Sequence, residues 1–220
     1  MNGFAARLQA GAATLAVPLA AAQLQQFQAL VAGLLRWNRA YNLTAIEEPE
    51  RILTHHLLDS LAAQPDLSGT MVADVGTGAG FPGLPLAIVN PARGFTLFDA
   101  VDKKLRFVDH MVRELGLANV RTRHARVELL APESFDTVIA RACAPLPRLA
   151  ELVAPLTGPS TRVIAMKGLW PPPAASGSDA DGGPLPAGWR IEAVRPVVVP
   201  GLAEARHQVL LRRDGRAALA

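Results

Sequence analysis

Met71-Val72-Ala73-Asp74-Val75-Gly76-Thr77-Gly78-Ala79-Gly80-Phe81-Pro82-Gly83 is the stretch on which the reading of the whole chain turns. It begins as a short buried strand. Gly76, Gly78 and Gly80 then remove Cβ where the backbone must turn sharply and lie close to a ligand. A helix is predicted to start near Gly83 and to carry Leu84, Leu86, Ile88 and Val89. Strand, glycine-rich turn and helix are the first half of a nucleotide-binding βαβ unit. The second half is the apolar run from Gly94 to Asp99. Its closing carboxylate falls about 20 residues past the turn, where an acid hydrogen-bonds a ribose.

The kind of nucleotide follows from the glycine spacing. A dinucleotide fingerprint needs Gly-x-Gly-x-x-Gly, so that a pyrophosphate can rest on the helix N-terminus. Here the third glycine comes one residue early, and Phe81-Pro82 fills the place a diphosphate would approach. S-adenosylmethionine offers an adenosine without phosphate, and the pattern fits it better. A nicotinamide-dinucleotide oxidoreductase is the alternative, and a tight turn without a ligand is the bland one.

The length of 220 residues suits one moderate domain with a full core and a small appendage. A net charge of +3 permits a polyanionic partner without demanding one. Cys143 is the single cysteine, which excludes an internal disulfide and any cysteine-rich metal site. No apolar run is long enough to cross a bilayer. Arg7 and the apolar residues 8–22 faintly resemble a signal peptide, but Gln9, Gly11 and Pro18 interrupt them. A helical segment at the start of a cytoplasmic protein is the reading adopted.

Leu24, Phe27, Leu30, Val31, Leu34 and Leu35 recur at helical spacing, and a second helix is predicted from Pro49 through Leu61. Together they make residues 1–66 an N-terminal helical cap on a core of residues 67–220. Beyond Asp99, Asp102 is expected to cap a helix that Gly116 ends in a left-handed turn. Strands follow at residues 120–122, 135–140 and 162–166, with a helix over residues 146–156. This alternation predicts an α/β fold, Rossmann-like, with a mainly parallel sheet covered on both faces. Residues 170–188, rich in Pro, Gly, Ser and Asp, read as a mobile surface loop. Residues 189–199 and 208–211 are expected to complete the sheet as an antiparallel pair.

Several motifs now stand together: Trp37-Asn38-Arg39-Ala40-Tyr41-Asn42-Leu43-Thr44, His56-Leu57-Leu58-Asp59-Ser60, the block from Asp74 to Pro85, and Arg126-Val127-Glu128. With Arg141-Ala142, Met166-Lys167-Gly168 and Arg206-His207, they closely resemble the bacterial methyltransferase G family, also called GidB. The resemblance covers nearly the whole chain in order. It implies a class I S-adenosylmethionine-dependent methyltransferase that methylates N7 of a guanine in small-subunit (16S) ribosomal RNA. The implied partner is the 30S particle or its RNA, without membrane or metal. A ribosome-assembly module that binds RNA without catalysis is a further alternative. Residue by residue, the resemblance implies cofactor contacts at Gly76, Gly78, Phe81, Val127, Glu128 and Arg141, with Asp99 at the ribose. Phe81 stands where the family often has leucine. Cys143 and the Pro-rich insert after Trp170 also depart from its pattern.

Guanine N7 presents a lone pair in the ring plane, so attack on a sulfonium methyl needs no general base, and alignment and desolvation are what an enzyme supplies. No catalytic residue is assigned beyond Arg141, which follows a strand end and is placed to orient substrate or cofactor. Glu128 is placed to accept from the adenine amine. Cys143 reads as a small, partly buried side chain rather than a nucleophile. His55-His56 reads as a buried, hydrogen-bonded His56 with Asp59 and Ser60 as polar neighbours, not as a metal site. Arg36, Arg39, Lys103, Lys104, Arg106, Arg121, Arg123, Arg126, Lys167 and Arg206 are candidates to meet phosphates. Trp37 and Tyr41 are candidates for stacking on a base, with core packing the rival role for Trp37.

Overall fold

The structure is a computed structural model, and it describes residues 2–170 and 183–214. Most of the Pro-rich segment therefore lies outside the described residues. Helices α1 (Asn2–Thr14) and α2 (Ala21–Tyr41) lead into α3 (Pro49–Ile52). A π-helical stretch, Leu53–Leu58, joins α3 to α4 (Asp59–Leu61), and a 3₁₀ turn, Gln64–Asp66, follows. Then come β1 (Met71–Val75), α5 (Gly83–Val89), β2 (Gly94–Asp99), α6 (Asp102–Glu114) and β3 (Val120–His124). After a 3₁₀ turn at Val127–Leu129, the chain forms β4 (Phe135–Arg141), α7 (Leu146–Val153) and β5 (Thr157–Lys167). It closes with β6 (Trp189–Val197) and β7 (Arg206–Arg213).

The strands of the described residues form one sheet in the order β3-β2-β1-β4-β5-β7-β6. The first five are mutually parallel; β7 runs antiparallel to β5, and β6 antiparallel to β7. The expected fold class is therefore the observed one. Strand β7 extends past residues 208–211 at both ends because it is hydrogen-bonded on both sides.

Alternate residues of each strand feed different cores. Val72, Phe95, Leu97, Ile139 and Ile164 pack with buried side chains of α1, α2, α5 and α6 on one face. Ala73, Val75, Phe98, Val138 and Val163 pack with Leu146, Leu149 and Val153 of α7 on the other. Burial on both faces explains why β1 and β2 read as continuous apolar runs. The helices before β1 thus share one core with α5 and α6. Gly33 lets α2 and α6 approach, since a Cβ there would stand 2.4 Å from Met111 Sδ.

One capping expectation is corrected. Val101, extended at φ −109°, precedes α6, and Asp102 lies within its first turn, accepting from Arg106 Nε at 2.7 Å. The i,i+4 arginine takes the carboxylate that was expected on the helix N-terminus. Gly116 does adopt the left-handed conformation at φ +65° that ends the helix.

Candidate functional site

The strand order reverses between β1 and its neighbours β2 and β4, and the carboxyl ends of these three strands meet at one edge. In an open parallel sheet that edge is where a ligand crevice forms. β1 delivers the glycine-rich turn there, β2 delivers Asp99, and β4 delivers Arg141.

Hydrogen bonds set the turn's shape. Gly76 N–H and Thr77 N–H both donate to the Phe98 carbonyl, at 2.9 and 3.0 Å, which pins the start of the turn to the end of β2. Gly76 holds φ +70°, a conformation costly for any residue with a Cβ, and a Cβ there would also meet Cys143 Sγ at 2.9 Å. Asp74, fully buried, accepts from Thr77 Oγ1 at 2.6 Å and from Gly83 N–H at 2.8 Å through Oδ2. One carboxylate oxygen thus ties the entry of the turn to the start of α5. Asp74 Oδ1 is buried without a donor. Burial accordingly pushes the Asp74 carboxyl up to about 6, against the two hydrogen bonds that favour its ionised form. With Asp74 already at the head of α5, that helix start is no seat for a pyrophosphate.

Asp99 joins the same framework. Its Oδ2 accepts from Gly78 N–H and its Oδ1 from Val101 N–H, both at 2.8 Å. Each oxygen keeps a lone pair for another donor.

Two cavities open here and share Gly76. The smaller, about 210 Å³, is lined by Gly76, Asp99, Val127 and Glu128, with Phe98 and Cys143. The larger, about 540 Å³, is lined by Gly76, Gly78, Phe81 and Arg141, and by residues of the segment from Leu43 to Asp59. The seven residues expected at a cofactor are therefore brought together, divided between two adjoining cavities. An apolar wall, an acid at the end of β2 and a turn that lacks Cβ atoms at Gly76 and Gly78 fit an adenosine.

Phe81 is only 4 % exposed, because the His56 ring stacks on it at 4.7 Å and the Arg141 guanidinium lies 5.6 Å from its centroid. His56 Nε2 is 2.9 Å from Thr44 Oγ1. Burial, reinforced by the Arg141 charge, lowers His56 to about 4, so the ring is neutral near pH 7. Ser60 Oγ donates to the His56 carbonyl at 2.5 Å, but Asp59 does not serve His56. Its carboxylate instead accepts from Arg141 Nη1 at 3.1 Å and from Arg206 Nε at 3.0 Å. Arg141 Nη1 also donates to the His55 carbonyl at 2.8 Å, on the π-helical stretch. π-Helical turns often occur at functional sites.

Cys143 is exposed rather than partly buried. The protein crowded round its thiol still pushes the pKa up, and the charges of Asp74 and Asp99 add to this. Such a thiol is a poor nucleophile near pH 7. Trp37 packs against Tyr41, Phe107 and His110, at 5.2, 5.8 and 5.1 Å between ring centroids, and so serves the α2–α6 contact, while Tyr41 is exposed. Among the described residues no group of three or more potential metal ligands comes together, and no helix is long and apolar enough to cross a membrane.

Known proteins resemble this chain in sequence and in fold. The family described as rRNA small subunit methyltransferase G matches residues 23–180. The chain belongs to this family. The methyltransferase G of Azoarcus sp. strain BH72 is 43 % identical over 215 residues, covering 97 % of this chain and 98 % of its own. That of Pseudomonas paraeruginosa is 42 % identical over 208 residues, 94 % of each chain. Among solved structures, an S-adenosylmethionine-dependent methyltransferase from Aquifex aeolicus superposes with a TM-score of 0.55 at 20 % identity. It covers 78 % of this chain and 97 % of that one. A mutant of MtNAS in complex with S-adenosylmethionine gives a TM-score of 0.56 at 19 % identity, over 88 % and 72 % of the two chains. At such identities the two structures speak for the fold, and the family membership rests on the closer relatives.

The sequence carries no local signal for the Asp59 bridge, whose partners are 82 and 147 residues away. Asp74 and Thr77 lie inside the quoted turn, yet their mutual hydrogen bond depends on the turn's geometry.

Proposed function

We propose that this protein transfers the methyl group of S-adenosylmethionine to N7 of a guanine in small-subunit ribosomal RNA. The observation that carries the reading is the pair of cavities meeting at Gly76, in a chain of the methyltransferase G family. The smaller takes the adenosine, with Asp99 at the ribose, Val127 against the base and Glu128 toward the adenine amine. Gly76 and Gly78 let the remainder of the cofactor pass close to the backbone. The larger takes the acceptor base.

When bound, the cofactor supplies an electrophilic methyl group on a sulfonium. Held by Asp99, Val127 and Glu128, it would give that methyl up to N7 with loss of the C–S bond, and the positive charge would end on the guanine ring. No proton leaves N7, so the residues around the cleft have only to orient and desolvate. A neutral His56 agrees with this, since it adds no charge beside the sulfonium. Arg141, held by Asp59 and the His55 carbonyl, is a fixed wall of the larger cavity. The site works where ribosomal subunits are, in the cytoplasm, on the 30S particle or its RNA.

The test is transfer of labelled methyl from S-adenosylmethionine to small subunits purified from cells lacking this protein. The label is then mapped by chemical cleavage at N7-methylguanine. Label at one guanine, abolished by Gly76→Asp, is the expected result. Label at another atom would refute the N7 assignment. Absence of label, with cofactor binding intact, would refute the enzyme.

A further inference from the structure

Among the described residues, the charged side chains lining the larger cavity are Lys104, Arg141 and Arg206 beside the acidic Asp59, with Lys167 engaged elsewhere, donating to the Ala144 carbonyl at 2.7 Å. His56 adds nothing, because burial keeps it neutral. Asp59, 4 % exposed, gives one oxygen to each arginine, and the exposed Glu204 adds its charge near Arg206 from the solvent side. The arginines arrive from opposite directions, at the end of β4 and the start of β7. Asp59 therefore fixes two cations side by side, at side-chain exposures of 20 % and 23 %, where solvent still reaches them.

Such a pair calls for an anion, and two are at hand: the carboxylate of the cofactor and a phosphate of the RNA. Sheet topology separates them. Asp99, at the ribose position, ends β2, and Arg206 begins β7, with β1, β4 and β5 between. At about 4.8 Å per strand, that places the start of β7 roughly 19 Å across the sheet from the end of β2. Arg206 lines the larger cavity and is absent from the lining of the smaller one that contains Asp99, so on the reading above it faces the acceptor's side. Arg206 donates through Nε to Asp59 and through Nη1 to the Ala205 carbonyl, which leaves Nη2 for an incoming oxygen. A guanidinium with a fixed plane is the side chain best suited to phosphate oxygens.

We propose that the Arg141–Asp59–Arg206 fork is the seat of an RNA backbone phosphate next to the target guanosine, with Arg206 as the phosphate ligand and Asp59 as the positioning residue. This rests on the ribosomal RNA methyltransferase reading above. The fork anchors the backbone at the mouth of the cleft, so that the neighbouring base is swung inward toward Gly76 and the methyl donor.

The experiment uses full-length protein, small subunits from a strain lacking it, and labelled S-adenosylmethionine. Wild-type turnover is measured first, and its absence would refute the functional reading rather than the fork. In Arg206→Gln the KM for small subunits rises about tenfold or more. The plot of log(kcat/KM) against log salt flattens by about one counter-ion, as removal of one phosphate contact requires. The dissociation constant for S-adenosylmethionine, measured by calorimetry, stays within about twofold. Arg206→Lys keeps the charge and recovers the salt slope but only part of the KM. Asp59→Asn leaves both charges free to drift, so the KM rises with the slope unchanged. Weakened cofactor binding in Arg206→Gln with an unchanged KM for subunits would overturn the proposal, because the pair would then serve the cofactor's carboxylate. Unchanged KM and slope with unchanged cofactor binding would overturn it equally, leaving a purely structural ion pair.

Discussion

Asp74 and His56 are buried titratable groups of opposite sign in their effect on stability, and replacing one should unmask the other. His56 falls from 6.5 to about 4 on folding. Between those values the unfolded chain binds a proton that the folded one refuses, so stability is lost as pH falls from 6.5 to 4. At 1.36 kcal/mol per pKa unit the full window amounts to about 3 kcal/mol. Asp74 rises from 3.8 to about 6. Here the folded chain holds the proton longer, so its contribution is present below 3.8 and is lost as pH rises through 6, again about 3 kcal/mol in all. From pH 6 to 4 the two slopes oppose each other and nearly cancel. Asp74→Asn removes one of them. Urea unfolding of wild type and variant at half-unit steps from pH 4 to 7 gives the difference in unfolding free energy at each pH, in which carboxylates common to both cancel. The variant should lose about 2 to 3 kcal/mol relative to wild type as pH falls from 6 to 4. A difference constant to within about 0.5 kcal/mol across that range would refute the reasoning, for Asp74 would then titrate alike in both states.

Other perturbations test the remaining parts. Asp99→Ala leaves Gly78 N–H and Val101 N–H without their acceptor and should weaken S-adenosylmethionine binding by about 1–3 kcal/mol, read by calorimetry. N-ethylmaleimide should modify Cys143 slowly at pH 7, its thiol being held above the usual pKa, and the adduct should block cofactor binding, while bound cofactor should protect the thiol. Phe27→Ala opens a cavity in the core that α2 shares with the sheet and should cost about 3–5 kcal/mol in urea unfolding. Residues 67–220 expressed alone expose the apolar faces of α5 and α6 that α2 packs against, and should not give a cooperative unfolding transition.

Much of the fold was legible because its signals are local. The turn from Gly76 to Gly80 needs positive φ, so its glycines announce it; Gly76 and Gly80 stand at φ +70° and +85°. Strands buried on both faces must be apolar throughout, so β1, β2 and β4 declare themselves as short hydrophobic runs. Helix boundaries were less secure where a side chain had a choice. Asp102 had the right residue type for a cap, but Arg106, one turn on, took its carboxylate. The π-helical stretch Leu53–Leu58 has no signature in hydrophobic spacing, because six residues are too few to establish a period distinct from that of the flanking α-helix.

The chain's sequence by itself determined the parallel α/β architecture, the glycine-rich turn after β1 and the acid at the end of β2, since each depends on backbone conformation or burial within a few residues. Only the tertiary structure decided which polar groups meet. Asp59 lies between two arginines from β4 and β7, and His56 is neutral because Phe81 and Thr44 enclose it. Charge and pKa depend on the distance to groups far away in sequence and on the water excluded between them, and neither quantity exists until the strands have paired.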